Sequence, residues 1–474
     1  MAITSTANHG LEIGRRALQA QQVAINTTGH NIANANTPGY SRRRVNLESA
    51  VSGTLGGIGT GADAASIERQ RNAFVDAQVL VQNQVLGKWE ALETTLKGIE
   101  ALFNEPAGPG PSEAGAVFDQ SSGIGVSGSL SRFWNAWQDL ANAPDNGAAR
   151  AVVRQEGQIL TSTVNSLQAQ LTESRLQLDR QIRDAVAAIN DLLDRVAGLN
   201  TQIAARQFDA SGSGDLQDQR DRLVEQLAEH MDLSAMKRED GQVSLMVRGH
   251  DVLTGDRMVH LHVRGNAPGD AGISTVYFSD SRTPVQLRGG RLGGLLEVRD
   301  DVVPDLLRGL DDIAYTLTRE VNDIHRNAYG LNGTTGIDFF AADGTTASGF
   351  ALDQAILDDL DHVAVSGDGH AGDNAAALAI SQLRDRRLLA GGTVTPERYY
   401  TQLLGELGTR SQAAQTMASN HRLYAQELEN RRQSIQGVSL NDEAAQLVMF
   451  QHAYQAAARS VSMIDTLMQV VLNI

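Results

Sequence analysis

Apolar residues recur every seven positions at both ends of this chain, and the middle follows other rules. Near the C-terminus Leu440, Leu447, Tyr454, Val461 and Met468 keep that spacing, with Phe450, Ala457, Ile464 and Val471 at the intervening positions. Near the N-terminus Leu11, Leu18, Ile25 and Ile32 repeat in the same way. A seven-residue apolar repeat marks a helix that packs against a partner helix. The spacing predicts a helix over 8–33 and another from about Ser439 to the end. Further helices are expected over 66–103, 128–141, 148–206 and 215–230. In the longest, Leu171, Leu178, Ala185, Leu192 and Leu199 interleave with Ile182, Ile189, Val196 and Ile203, which is a bundle pattern.

Around residue 233 the period falls to two. Val243, Leu245 and Val247 alternate with polar residues, as do Val259, Leu261 and Val263, then Val276 and Phe278, then Val285 and Leu287. Turn signals at Asp240-Gly241, Gly249, Thr254-Gly255 and Pro268-Gly269 separate them, so a small antiparallel β unit is expected. Helical spacing returns near 300 with Val303, Leu310, Leu317 and Ile324, and resumes over 373–390 and 395–434. The proline- and glycine-rich stretch 104–125 and the acidic stretch 341–373 read as loops.

The expected fold is therefore mainly α: an elongated helical bundle or coiled coil made from both chain ends, with a small inserted antiparallel β domain. The division is 1–50 with 438–474 as a terminal coiled-coil unit, 51–232 with 300–437 as a helical bundle, and 233–299 as the β domain. A lone amphipathic tail has nowhere to bury its stripe, so both tails are expected to be mobile in an isolated monomer and to order against neighbours. The alternative is that the tails pair with each other within one chain.

Composition narrows the function. Aromatics make up only 4% of the chain, which suits helix seams better than a deep ligand cavity. Phe133, Trp134 and Trp137 lie close together and are expected to anchor the core. With no cysteine, disulfides and thiolate metal sites are excluded. The net charge of −16 argues against nucleic acid as a partner. The first thirty residues hold no continuous apolar stretch, so no cleavable secretory signal is expected, and no run is long enough for membrane insertion.

The segment Ala20 to Ser49 (AQQVAINTTGHNIANANTPGYSRRRVNLES) resembles the N-terminal signature of bacterial flagellar axial proteins, with Asn31, Asn34, Asn36, Thr37, Pro38, Gly39 and Tyr40 as its specific positions. Phe133 to Arg150, Asn322 to Phe340 and Gly437 to Ile474 are similar to one branch, the hook-associated protein 1 (FlgK) family. The resemblance implies a structural subunit at the junction of hook and filament, exported by the flagellar type III apparatus without a cleaved signal and only transiently cytoplasmic. It implies a homo-oligomeric ring on the hook protein and a second junction protein, FlgL, on the outer side. It also implies an export chaperone, FlgN, on the C-terminal helix. Assembly would run through Leu11, Leu18, Ile25 and Ile32, and through Leu440, Leu447, Phe450, Tyr454, Val461, Ile464, Met468 and Val471. Two departures stand out. Ala62, Asp63 and Ala64 replace the β-branched alternation of the family's G-x-G strand, which puts that strand in doubt, and the chain ends with fewer aromatics. Other axial proteins (hook, distal rod) and a coiled-coil surface adhesin are the alternatives.

The remaining motifs point away from chemistry. Gly53 to Gly61 is glycine-rich but lacks the Gly-Lys-Ser/Thr of a phosphate loop. His260 and His262 would share a strand face, but no third ligand is near. Asp368 and Asp373 do not fit calcium-loop spacing. Arg42, Arg43 and Arg44 are expected to meet acidic neighbours or solvent. No catalytic, cofactor or metal site is expected, and the chain reads as a non-enzyme.

Overall fold

The computed structural model describes residues 2–50, 59–103, 125–206, 213–265 and 272–472, with side chains from 8 to 470 at the two ends. Most of the expected 104–125 loop, the start of the glycine-rich stretch, the Pro268-Gly269 turn and the Val471 side chain lie outside these residues.

Helix α1 (Ala2–Asn34) leads into a hairpin of β1 (Arg43–Ser49) and β2 (Ala62–Arg69), followed by α2 (Ala73–Glu100). The helix expected to begin at 66 thus begins at Ala73. Residues 62–69 pair antiparallel with β1, Arg43 opposite Arg69 and Glu48 opposite Asp63, with a register shift between Asn46 and Leu47. The sequence ADAASIER has little strand propensity. Pairing with β1 and an ion pair from Arg16 on α1 to Asp63 (2.9 Å) override it. The side chain of Asn72 then accepts from the Phe74 and Val75 amides and starts α2.

The body continues with α3 (Gly125–Asn142), α4 (Gly147–Ala205) and α5 (Gly214–His230). With 59 residues, α4 is about 88 Å long at the standard helical rise. The β unit contains β3 (Ser234–Lys237), β4 (Val243–Val247), β5 (His250–Thr254) and β6 (Arg257–Met258) in one antiparallel sheet, and β7 (Leu261–Gly265) with β8 (Ser274–Phe278) in another. Val243, Leu245 and Val247 are buried, as their alternation predicts. The amide of Asn200 on α4 bonds both ways to the Val243 backbone, at 2.8 and 3.1 Å, fixing sheet to helix. The single helix expected from 300 is two, α6 (Gly290–Glu297) and α7 (Val303–His325), joined by a π turn over Val298–Val302. There Arg299 is buried against Asp179 of α4 at 2.7 Å. Short helices α8 (Gln354–Asp358) and α9 (Ala375–Ser381) precede α10 (Pro396–Gln436) and α11 (Leu440–Leu472).

The core of the body is aromatic where α3 meets the segment after α7. Phe133, Trp134 and Trp137 are buried together with Phe339, Phe340 and Phe350. His325 lies among them, fully buried: its Nδ1 faces the Ile337 carbonyl (2.7 Å) and its Nε2 accepts the Ala364 amide (2.8 Å). Burial pushes its pKa down to about 4, so the ring is neutral.

The tails pair with each other. Helices α1 and α11 pack together, and the hairpin packs on α1. None of the buried apolar clusters includes a residue of α1, β1, β2 or α11.

Candidate functional site

The α1–α11 pair is antiparallel. A Cβ placed on Gly10 would lie 3.1 Å from Ile464, and one on Gly14 would lie 2.4 Å from Val461 Cγ2. Asn31 meets Glu443 in the same register, which sets Ala24 level with Phe450. The buried line on α1 is therefore made of small residues: Gly14, Ala20, Ala24, Thr27, Thr28 and Asn31. Small side chains let the backbones approach and leave room for the larger residues of α11. Leu11, Leu18, Ile25 and Ile32 are half-buried beside that line, turned from it by about 100°.

On α11, Val461 and Ile464 lie against Gly14 and Gly10 of α1. Leu447, Phe450, Tyr454, Val461, Ile464 and Met468 are half-buried along one side. Leu440 is the exception: it opens the helix, is 51% exposed, and does not join the seam. A second stripe runs along the flank. Met449, Ala456, Met463 and Val470 recur every seven residues, with Leu467 beside them, and all are exposed.

The signature residues form the joint between this pair and the body. Asn31 is buried and uses its full hydrogen-bonding capacity. Its Nδ2 donates to the Arg43 carbonyl (2.9 Å) and to Glu443 Oε2 (2.9 Å). Its Oδ1 accepts from the Tyr40 hydroxyl (2.7 Å) and the Arg43 amide (2.9 Å). Glu443 is fully buried, and Arg42 Nε donates to its other oxygen at 2.6 Å. Burial lifts the Tyr40 phenol to about 12 despite Arg43 nearby, so it stays a donor at any ordinary pH. Asn34 ends α1 and accepts Thr37 Oγ1 at 3.2 Å, while Asn36 is exposed in the turn that follows. Thr37 to Tyr40 then turns with Pro38 second and Gly39 third at φ +75°, as a type II turn requires. The Arg222 guanidinium reaches the Pro38 carbonyl and packs where a Gly39 side chain would lie.

Beneath the joint, α5 presents a ladder of carboxylates at helical spacing. Asp215 holds Arg43, and Asp218 holds Arg69 at 2.6 Å. Asp221 holds Arg69, Arg71 and Arg220. Glu225 holds Arg432 of α10 at 2.5 Å. Burial would push the Asp221 carboxyl up, but the three guanidinium groups override it and hold it far below the carboxylate range. From the sequence, α5 is expected only as a helix. Its acids look like a solvated face until the arginines of distant segments are seen to meet them. Arg42 and Arg43 do meet acidic partners, as expected.

The other motifs stay apart. His260 pairs with Asp194 at 2.8 Å. Asp368 and Asp373 share hydrogen bonds with Ser366 in a local turn. Among the described residues no group of histidine and acidic side chains is arranged to hold a metal, and no helix is long and apolar enough to cross a membrane.

Comparison with known proteins gives one consistent picture. A family model for the FlgK helical domain of flagellar hook-associated proteins matches residues 112–340. A flagella basal body rod protein model matches residues 11–40. Flagellar hook-associated protein 1 of Bacillus subtilis (strain 168) is 32% identical, over 98% of this chain and 97% of the relative. The protein of the same name from Escherichia coli (strain K12) is 21% identical, over 96% and 98%. The structure of the flagellar hook junction protein FlgK from Burkholderia pseudomallei has the same fold, with a TM-score of 0.64 at 15% identity. That likeness covers 77% of this chain and all of that one.

Proposed function

This chain belongs to the flagellar hook-associated protein 1 family, and we propose that it assembles as a homo-oligomeric ring on the distal end of the hook through α1 and α11. It is a structural subunit of the bacterial flagellum at the hook–filament junction.

One observation supports the mode of assembly most directly. Helix α11 has two apolar sides, and α1 covers only one. Met463, Leu467 and Val470 on the flank are each more than half exposed. A stripe of this length left in water is the kind of surface that meets other chains. Neighbouring copies would cover it with their own terminal helices, with the half-buried Leu11, Leu18, Ile25 and Ile32 beside it.

The family implies hook protein on one side, the FlgL junction protein on the other, and export through the flagellar type III apparatus. The exposed α11 flank would be the surface masked by the FlgN chaperone in the cytoplasm. The turn at Asn36 to Tyr40 and the polar knot at Asn31 would set the angle of the terminal pair to the body.

Leu467→Asp tests the assembly surface. Leu467 is exposed, so the monomer should fold and melt as the parent does. In a strain lacking the native chain, this variant should leave hooks without filaments and release flagellin to the medium. Normal filaments would remove α11's flank from the assembly.

A further inference from the structure

We propose that Met449 and Met463 are an oxidation-sensitive site on the α11 flank, where peroxide acts on the free subunit and blocks its assembly. This rests on reading that flank as the surface that meets neighbouring subunits.

The chain has nine methionines and no cysteine, so two-electron sulfur oxidation falls on methionine alone. Exposure sorts them. Met231 is fully buried, and Met246, Met258 and Met468 are half-buried. Met449 is 55% and Met463 66% exposed, two heptads apart on one stripe with Ala456 between them. Met236 (61%) and Met417 (41%) are exposed elsewhere, on β3 and α10.

The step is balanced. A sulfur lone pair attacks one peroxide oxygen, an S–O bond forms, and the O–O bond breaks. The sulfur loses two electrons and the peroxide leaves as water. The product is a sulfoxide, a polar acceptor in place of a flexible apolar group. An apolar helix seam offers that oxygen no donor, so it opposes burial against a neighbouring helix. Within the free monomer the sulfoxides stay in water, so the fold of the subunit is unaffected. In the assembled ring the same sulfurs are covered and shielded, so vulnerability belongs to the interval between export and incorporation.

The experiment treats purified full-length protein with dilute hydrogen peroxide and maps sulfoxides by peptide mass spectrometry. It then measures binding to hooks isolated from a strain lacking this chain. Met449 and Met463 should oxidise with Met236 and Met417, and well before Met231. Hook binding should fall several-fold and recover on treatment with methionine sulfoxide reductases. A Met449→Leu/Met463→Leu protein, compared with itself untreated, should lose no hook binding on peroxide treatment. Met236→Leu/Met417→Leu should remain as sensitive as the parent. Undiminished binding by protein oxidised at both positions overturns the proposal, as does equal protection by the Met236/Met417 pair. Leu467→Asp in the same assay separates the two ideas. If Leu467→Asp fails to bind while oxidised parent binds, only the oxidation site is wrong. If Leu467→Asp binds normally, the assembly reading beneath it is wrong.

Discussion

The body and the terminal unit of this molecule are held by opposite means. In the body, Phe133, Trp134 and Trp137 pack on Phe339, Phe340 and Phe350, and the one ionisable group among them, His325, is neutral. At the joint, Asn31, Arg42 and Glu443 form a buried polar knot above an arginine–carboxylate ladder on α5. Apolar packing is non-directional and mainly adds stability. A network in which Asn31 makes four bonds to fixed partners adds little net stability but selects one geometry. The body thus supplies cohesion, and the joint supplies the angle at which the paired tails leave it.

The comparison predicts separate responses. Phe133→Ala should have the largest effect, a loss of about 3–5 kcal/mol from a large-to-small change in a packed core. It should appear in thermal melts of the body, with hydrogen exchange in α11 unchanged. Acid should come next. His325 titrates near 6.5 in the unfolded chain and about 4 in the folded one. Between those values the unfolded state binds the extra proton. Stability is therefore complete above that window and falls by about 3 kcal/mol as pH drops through it. His325→Gln should flatten that segment of the stability–pH curve. Asp221 behaves differently: its folded pKa is depressed, so its contribution is present above 3.8 and is lost only as pH falls below that value. The body should therefore weaken before the Asp221 hub does. Glu443→Ala should be the smallest of the three. It leaves the Asn31 amide and the partly exposed Arg42 without their carboxylate, costing about 2 kcal/mol after solvent relieves the arginine. Faster hydrogen exchange in α1 and α11, with an unchanged body melt, is the expected result. A body that melts early in Glu443→Ala would break the distinction between the two regions.

What the chain revealed on its own follows the same division. Seven-residue spacing located α11 and the α4 bundle helix, and the scarcity of aromatics made Phe133, Trp134 and Trp137 conspicuous. Periodicity reports which positions are apolar, and it served wherever apolar packing decides the structure. Along α1 the closest contact with α11 is made by glycine and alanine, residues that carry little apolar signal. The strand β2 is obscured for a similar reason: the spacing starts a helix at 66, and Ala62, Asp63 and Ala64 leave the family's strand in doubt until β1 pairs with it. The joint was legible only as a motif. Nothing local to Asp218 or Asp221 says that Arg69 and Arg71, some 150 residues earlier, will meet them.

Asn31 and Glu443 are 412 residues apart in the chain. Synthesis runs from the N-terminus, so Asn31 and Arg42 exist long before the carboxylate they hold. The body has everything it needs once α10 is complete, but the clasp closes only when the final helix arrives. A subunit cut short before Glu443 would carry a finished body and an open clasp. The bond between Asn31 and Glu443 is therefore a record that synthesis has passed the body and entered the final helix.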